Sequence, residues 1–229
     1  DIKRELWDWY KIDSLRAQGD YNEPVVWAYV VGMLIEKLMS CFGDKKVVAH
    51  FHEWLSGAGL LYLKKKNARI ATVFTTHATV LGRTLASSNI DLYNVWNKIN
   101  PEQEAYKYNV EAKHLVEKNS AAFADVFTTV SEITGMEASY LLKKKPDILL
   151  PNGLDISKFP TFEEIVIKHK LQRDRIREFM LYNFFPYYTF DPKETLIYFI
   201  AGRYEFHDKG IDIYIKALGK LNEKLKQSK

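Results

Sequence analysis

Apolar and polar positions along this chain switch between two periods. Short apolar and β-branched runs at 47–52, 70–76, 125–130 and 147–150 have the length and composition of strands. Between them, apolar residues recur three and four apart, which predicts helices over 54–66, 79–87, 102–123 and 131–144. Ser131 occupies the N-cap position of the last of these, with Thr134 one turn in. Upstream, residues 6–12 read as a helix, and Pro24 marks the first turn of another that runs through 25–42. Buried strands alternating with helices predict a parallel sheet covered on both faces, and 47–52 reads as one such buried strand.

The stretch 160–190 is different. It is charged and aromatic, with a helical pattern through Ile165, Leu171, Ile176, Phe179 and Met180. A predicted strand over 195–201 then runs into Gly202-Arg203, followed by Lys209, Gly210 and an amphipathic helix over 211–225. The fold class is therefore α/β, with two Rossmann-like domains of which only the first is nearly complete. The expected division is 1–159 for the first domain, 160–194 for a helical connection, and 195–229 for the opening strand–loop–helix of the second. One strand–helix unit cannot cover its own sheet face, so a continuation past Lys229 or a covering partner is expected. The front of the chain, Asp1-Ile2-Lys3, lacks an initiator Met and reads as cut rather than processed.

Composition narrows the function classes. With 229 residues and 47% hydrophobic content the chain can bury a real core. The net charge of +4 owes much to Lys64-Lys65-Lys66 and Lys143-Lys144-Lys145. Both runs end predicted helices, where cations complement the dipole, so they read as solvated helix ends and no nucleic-acid partner is expected. Cys41 is the single cysteine, which rules out an internal disulfide and fits a reducing, cytoplasmic setting. The longest apolar run, 25–35, is broken by Glu36-Lys37 and is short of the roughly 20 residues a membrane span needs. Neither Gly-x-Gly-x-x-Gly, nor a Walker A loop, nor Gly-x-Ser-x-Gly occurs, which argues against dehydrogenases, P-loop hydrolases and α/β-hydrolases.

Candidate chemistry falls at the predicted strand ends, where open α/β sheets bind ligands. Arg203 and Lys209 place two cations beside a helix N-terminus, an arrangement suited to a diphosphate. His77 follows the strand 70–76 and could donate a hydrogen bond to a ligand or a developing charge, with Arg83 one to two helical turns on. A strand-end His is as readily a satisfied structural group. His50 and His52 share one face of their strand, with Glu53 next. No third ligand is apparent, so hydrogen-bonded imidazoles are expected there rather than a metal site. Asn152 lies in Pro151-Asn152-Gly153, which on its residues alone reads first as an ordinary turn.

Several of these stretches together resemble the eukaryotic-type glycogen synthases. They are Ala49-His50-Phe51-His52-Glu53-Trp54-Leu55, Phe74-Thr75-Thr76-His77-Ala78-Thr79 through Leu81-Gly82-Arg83, Ala124-Asp125-Val126-Phe127-Thr128-Thr129-Val130-Ser131, Leu141-Leu142-Lys143-Lys144-Lys145-Pro146-Asp147, Leu150-Pro151-Asn152-Gly153-Leu154, and the run 199–210. The resemblance implies the two-domain B-type glycosyltransferase fold. It implies retaining transfer of glucose from UDP-glucose to the 4-hydroxyl of an α-1,4-glucan end, without a metal or other cofactor. By position, Arg203 and Lys209 match the pair holding the donor diphosphate, and His77 matches the active-site His near the donor glucose. Arg83 and Asn152 match cleft residues near the phosphate and the sugar. From their place at the strand end, His52 and Glu53 are further expected to bind substrate, with Glu53 at the mouth of the cleft. The 160–190 stretch corresponds to an insertion the family uses in assembly, which implies a homo-oligomer. The family's glycine-rich loop and catalytic Glu have no counterpart in these residues, so the chain alone is expected to be inactive. Another B-type glycosyltransferase, or a non-catalytic glucan-binding or scaffolding piece, remains the alternative, and the choice of UDP- over ADP-glucose rests on the resemblance alone.

Overall fold

The computed structural model describes residues 2–17, 19–43 and 45–228. Its sheet has four parallel strands in the order β1 (Val48–His52), β2 (Ala71–Thr76), β3 (Val126–Thr129) and β4 (Ile148–Leu149). The helices are α1 (Ile2–Tyr10), α2 (Gly19–Leu38), α3 (Glu53–Lys65), α4 (Val80–Ser87), α5 (Leu92–Val95), α6 (Pro101–Lys107), α7 (Glu111–Phe123), α8 (Glu132–Leu141), α9 (Phe162–Phe184) and α10 (Ile211–Gln227). Single 3-10 turns occupy Met39–Cys41 and Ile156–Lys158. This is a mixed α/β, Rossmann-like arrangement in which each strand returns beside its predecessor through a helical crossover.

The chain forms two compact units, Asp1–Pro151 with Tyr204–Lys229, and Asn152–Arg203. In the first, α3 runs through the centre of the main core and buries every residue from Gly57 to Leu63. Glycines allow this depth. A Cβ on Gly32 would stand 2.7 Å from the Gly59 carbonyl oxygen, and one on Gly59 would stand 2.5 Å from that of Ala28, so α2 and α3 cross with their backbones in contact. Phe51, Phe74 and Phe127 carry the sheet's contribution to this core. A second cluster joins Leu81, Leu85, Leu92, Trp96, Ala105 and Leu141. Two aspartates fix the starts of strands. Asp125 accepts from the Thr72 amide at 2.7 Å and from Lys64 Nζ at 2.6 Å, and Asp147 accepts from the Phe127 amide at 2.7 Å.

Four elements differ from the sequence reading, one of them in two respects. The expected helix 102–123 is two helices, because Asn109 adopts φ 54° and ends α6 in the left-handed conformation that Asn tolerates. Strand β1 is not buried on both faces: its exposure alternates, with Val48, His50 and His52 open and Ala49 and Phe51 covered, and the facing Ala71 of β2 is open too, so one face of the sheet is uncovered there. The helix expected from Pro24 begins at Gly19 and holds Pro24 in its interior. Residues 195–201 form no strand among the described residues, since a lone apolar run has no neighbour to complete a ladder. Finally, the helical stretch Gly19–Cys41 is long and apolar enough to cross a membrane, beyond what the 25–35 run indicated. One face of it, Tyr21, Val25, Ala28, Tyr29 and Gly32, is buried in the main core.

The second unit contains the Ile156–Lys158 turn and α9, which buries none of its residues. Thr161 caps α9 by accepting from the Glu164 amide. Arg177 donates to the Lys193 carbonyl at 3.3 Å, which ties the returning chain to the helix, and Phe185 meets Phe190 edge to face.

Candidate active site

The carboxyl ends of β1 and β2 bring His50, His52, Glu53 and His77 together. Parallel register sets His52 opposite Thr75 and His50 opposite Val73, so the two imidazoles share a sheet face with Thr75 and Thr128. His50 Nε2 lies 2.7 Å from Thr75 Oγ1, which lies 2.5 Å from Thr128 Oγ1. His52 stacks obliquely on His50, with ring centroids 4.2 Å apart, and its Nδ1 lies 3.3 Å from His77 Nε2. Burial, and then the neighbouring His50 and His77, push the His52 pKa down. These contacts are the hydrogen-bonded imidazoles the sequence predicts. Among the described residues, no group of three or more His, Cys, Asp or Glu side chains is arranged to hold a metal ion.

His77 opens the turn between β2 and α4, and three carboxyl groups converge on that turn. Glu53 Oε1 accepts from the His77 amide at 2.8 Å. Glu137 Oε1, from α8, accepts from the Thr79 amide at 2.8 Å and from the Thr79 hydroxyl at 2.5 Å. Glu117, from α7, accepts from the Val80 amide at 2.9 Å and from the Thr76 hydroxyl at 2.7 Å. Thr79 in turn caps α4 by accepting from the Gly82 amide at 3.0 Å. Glu53 reaches His77 from a left-handed backbone conformation, φ 62°, which costs about 1–2 kcal/mol in a residue other than glycine. Glu117 is fully buried, and burial pushes its pKa up to about 8. Burial also raises Glu137, against the pull of its Thr79 hydrogen bonds and of Arg83.

The sequence reading names Glu53 and His77 but misses Glu117 and Glu137. Each stands in a helix whose apolar period accounts for the segment, so neither looks out of place in one dimension. For Glu137 the one signal was Gly82, and Glu117 had none. A Cβ there would collide with Glu137 Oε1, so the glycine clears space for the carboxyl group.

The other predicted residues are distributed over both units. Arg83 lies exposed on α4. Lys209 belongs to the first unit, is exposed, and lies 3.6 Å from Glu205. The turn beside it is anchored by Ser87, which donates to Asp208 at 2.6 Å, and Gly210 begins α10 at φ 68°. Asn152 and Arg203 are exposed residues of the second unit.

Comparison with known proteins bears on this arrangement. The family model described as glycogen synthase matches residues 1–229. The chain is 41% identical over 224 residues to glycogen (starch) synthase of Neurospora crassa, covering 98% of this chain and 32% of that protein. It is 41% identical over 227 residues to isoform 2 of Saccharomyces cerevisiae, covering 99% and 32% respectively. Against the liver glycogen (starch) synthase of Homo sapiens it is 39% identical over 227 residues, again 99% and 32%. The chain thus spans about a third of the length of these curated relatives, and the match runs through every candidate site residue from His50 to Lys209. On this similarity the chain belongs to the glycogen synthase family.

Proposed function

We propose that this chain contributes the donor-sugar side of a glycogen synthase active site, in an enzyme that moves glucose from UDP-glucose to the 4-hydroxyl of an α-1,4-glucan end with retention. The observation that carries the reading is the placement of His77. It sits at the carboxyl end of a parallel strand, with its amide held by Glu53 and its ring beside His52. In this role His77 donates toward the glucose as its anomeric carbon loses the diphosphate oxygen. Arg203 and Lys209 stabilise the negative charge left on UDP. Arg83 and Asn152 orient phosphate and sugar, and His52 and Glu53 bind substrate, Glu53 from the mouth of the cleft. No metal or other cofactor takes part.

The domain assignment belongs to the same proposal. Residues 1–159 supply a first Rossmann-like domain, 160–194 a helical connection, and 195–229 the opening of a second domain. Segment 195–201 takes up its strand when neighbouring strands flank it. Exposed Phe162, Ile165, Val166 and Phe179 on α9 support self-association of the protein as a homo-oligomer through this helix. The working setting is the cytoplasm, with neither a nucleic acid nor a membrane as partner. The Gly19–Cys41 helix serves as a core helix.

The test is transfer of labelled glucose from UDP-glucose to glycogen by a chimera in which these residues replace the matching 227 of the Saccharomyces cerevisiae isoform 2 relative. Turnover is expected in the chimera and absent in the 229-residue chain alone. A folded chimera that hydrolyses or ignores UDP-glucose would exclude the reading.

A further inference from the structure

We propose that Glu117 and Glu137 are positioning residues for His77, fixing through backbone and hydroxyl hydrogen bonds the turn that presents its ring at the strand ends. Their geometry is specific to that turn. Glu117 approaches from α7 and Glu137 from α8, and among the described residues the hydrogen bonds of both carboxyl groups end on Thr76, Thr79 or Val80. His77 lies between these anchors, its own amide taken by Glu53. Rotation of the turn would break bonds to two helices at once.

A purely structural device would not need acids here. Burying a carboxyl group is costly, and a fold gains as much from apolar side chains of similar volume. Glu117 is 0% exposed and Glu137 7%. Buried acids that brace one catalytic-type turn are what a preorganised site requires, because a ring displaced by about 1 Å can forfeit roughly 100-fold in rate. The same bonds consume the Thr79 and Val80 amides at the start of α4. That end of the helix is therefore occupied by the protein's own acids, which leaves the donor phosphates to the cationic side chains. Glu117 in its protonated form can still accept from the Val80 amide while donating to Thr76 Oγ1. A glutamine reproduces that pattern, and a leucine does not.

The catalytic meaning of His77 rests on the function proposed above; the geometric claim does not, and the experiment separates them. In the full chain, amide exchange at Thr79 and Val80 and the His77 ring 13C shift are followed by NMR in Glu117→Leu, Glu137→Leu and the two Gln variants. We expect exchange at those amides to quicken about tenfold in the Leu variants, the scale of one lost buried hydrogen bond, with the His77 shift displaced. Gln should restore both. If the Leu variants do not fold, Glu117→Asp and Glu137→Asp, which shorten the reach by one methylene, decide in the same way. An unmoved His77 shift overturns the proposal, as does equal loosening throughout β2, β3 and α8. In the chimera, Glu117→Leu should lower kcat more than nucleotide affinity. If the turn moves and kcat does not, the role given to His77 fails while the positioning stands.

Discussion

A single oxygen of Glu137 accepts from both the amide and the hydroxyl of Thr79, at 2.8 and 2.5 Å, and lies where a side chain on Gly82 would project. Thr79 is also the cap of α4, so one carboxyl group sets both the start of that helix and the turn that holds His77. Gly82→Ala should therefore displace Glu137 and release Thr79. The expected loss is about 2–3 kcal/mol, the range for overpacking combined with an unmet buried acceptor. Denaturant unfolding of the full chain measures it, and a loss below about 0.5 kcal/mol would show that Glu137 can move aside freely.

The crossing of α2 over α3 makes a second prediction. A Cβ at Gly59 would meet the Ala28 carbonyl oxygen at 2.5 Å, and backbone cannot retreat as a side-chain tip can. Gly59→Ala should cost about 2–3 kcal/mol by forcing the helices apart, despite the better helix propensity of alanine. The open position Gly219, whose Cβ would meet nothing within 4 Å beyond its own stretch of helix backbone, is the control: Gly219→Ala should be neutral or stabilising by up to about 1 kcal/mol.

Stability should depend on pH through Glu117. Unfolded, this carboxyl group titrates near 4.5; folded, burial holds its proton to about pH 8. Glu53 and Glu137 add to the rise, and the Thr76 hydroxyl and Val80 amide oppose it. Between those values the folded state binds more protons. Its contribution is thus complete below about 4.5 and falls as pH rises to about 8. Glu117→Gln removes this dependence. Thermal unfolding from pH 5 to pH 9 should show wild type losing at least about 1.4 kcal/mol relative to the variant, the equivalent of one pKa unit. Parallel curves would mean that Glu117 is ionised in the folded protein.

Asp125 provides the opposite sign. Burial raises its pKa, but hydrogen bonds from Lys64 and Thr72 outweigh that and hold it below the usual range. Its contribution is present at neutral pH and lost as pH falls through the depressed value. Asp125→Asn should therefore narrow the stability gap to wild type on acidification, measured by the same unfolding experiments below pH 4.

Within the glycogen synthase chimera, His77→Ala should reduce kcat far more than affinity for UDP. Arg203→Ala should reduce turnover by about two orders of magnitude or more, the scale of removing one charge-stabilising donor. Steady-state rates and UDP binding by calorimetry separate the two effects. Weakened UDP binding with kcat intact in His77→Ala would assign that residue to binding alone.

The sequence by itself determined the alternation of strands and helices, because period and composition are local properties. It placed β2 and β3 within a residue or two of their observed bounds, and Ser131 as the cap of α8, where its hydroxyl accepts from the Thr134 amide at 3.2 Å. It also placed His52, Glu53 and His77 at strand ends, which parallel order then brings to one edge of the sheet. Tertiary structure alone decided what depends on neighbours. Strand β1 is half open because one face of the sheet is uncovered there, and 195–201 is irregular because no strand flanks it. Asn109 breaks a continuous helical pattern because its backbone takes up the left-handed conformation between α6 and α7. Glu117 and Glu137 became legible last: a buried acid is defined by the amides it meets across the fold, and those lie 37 and 58 residues away in the chain.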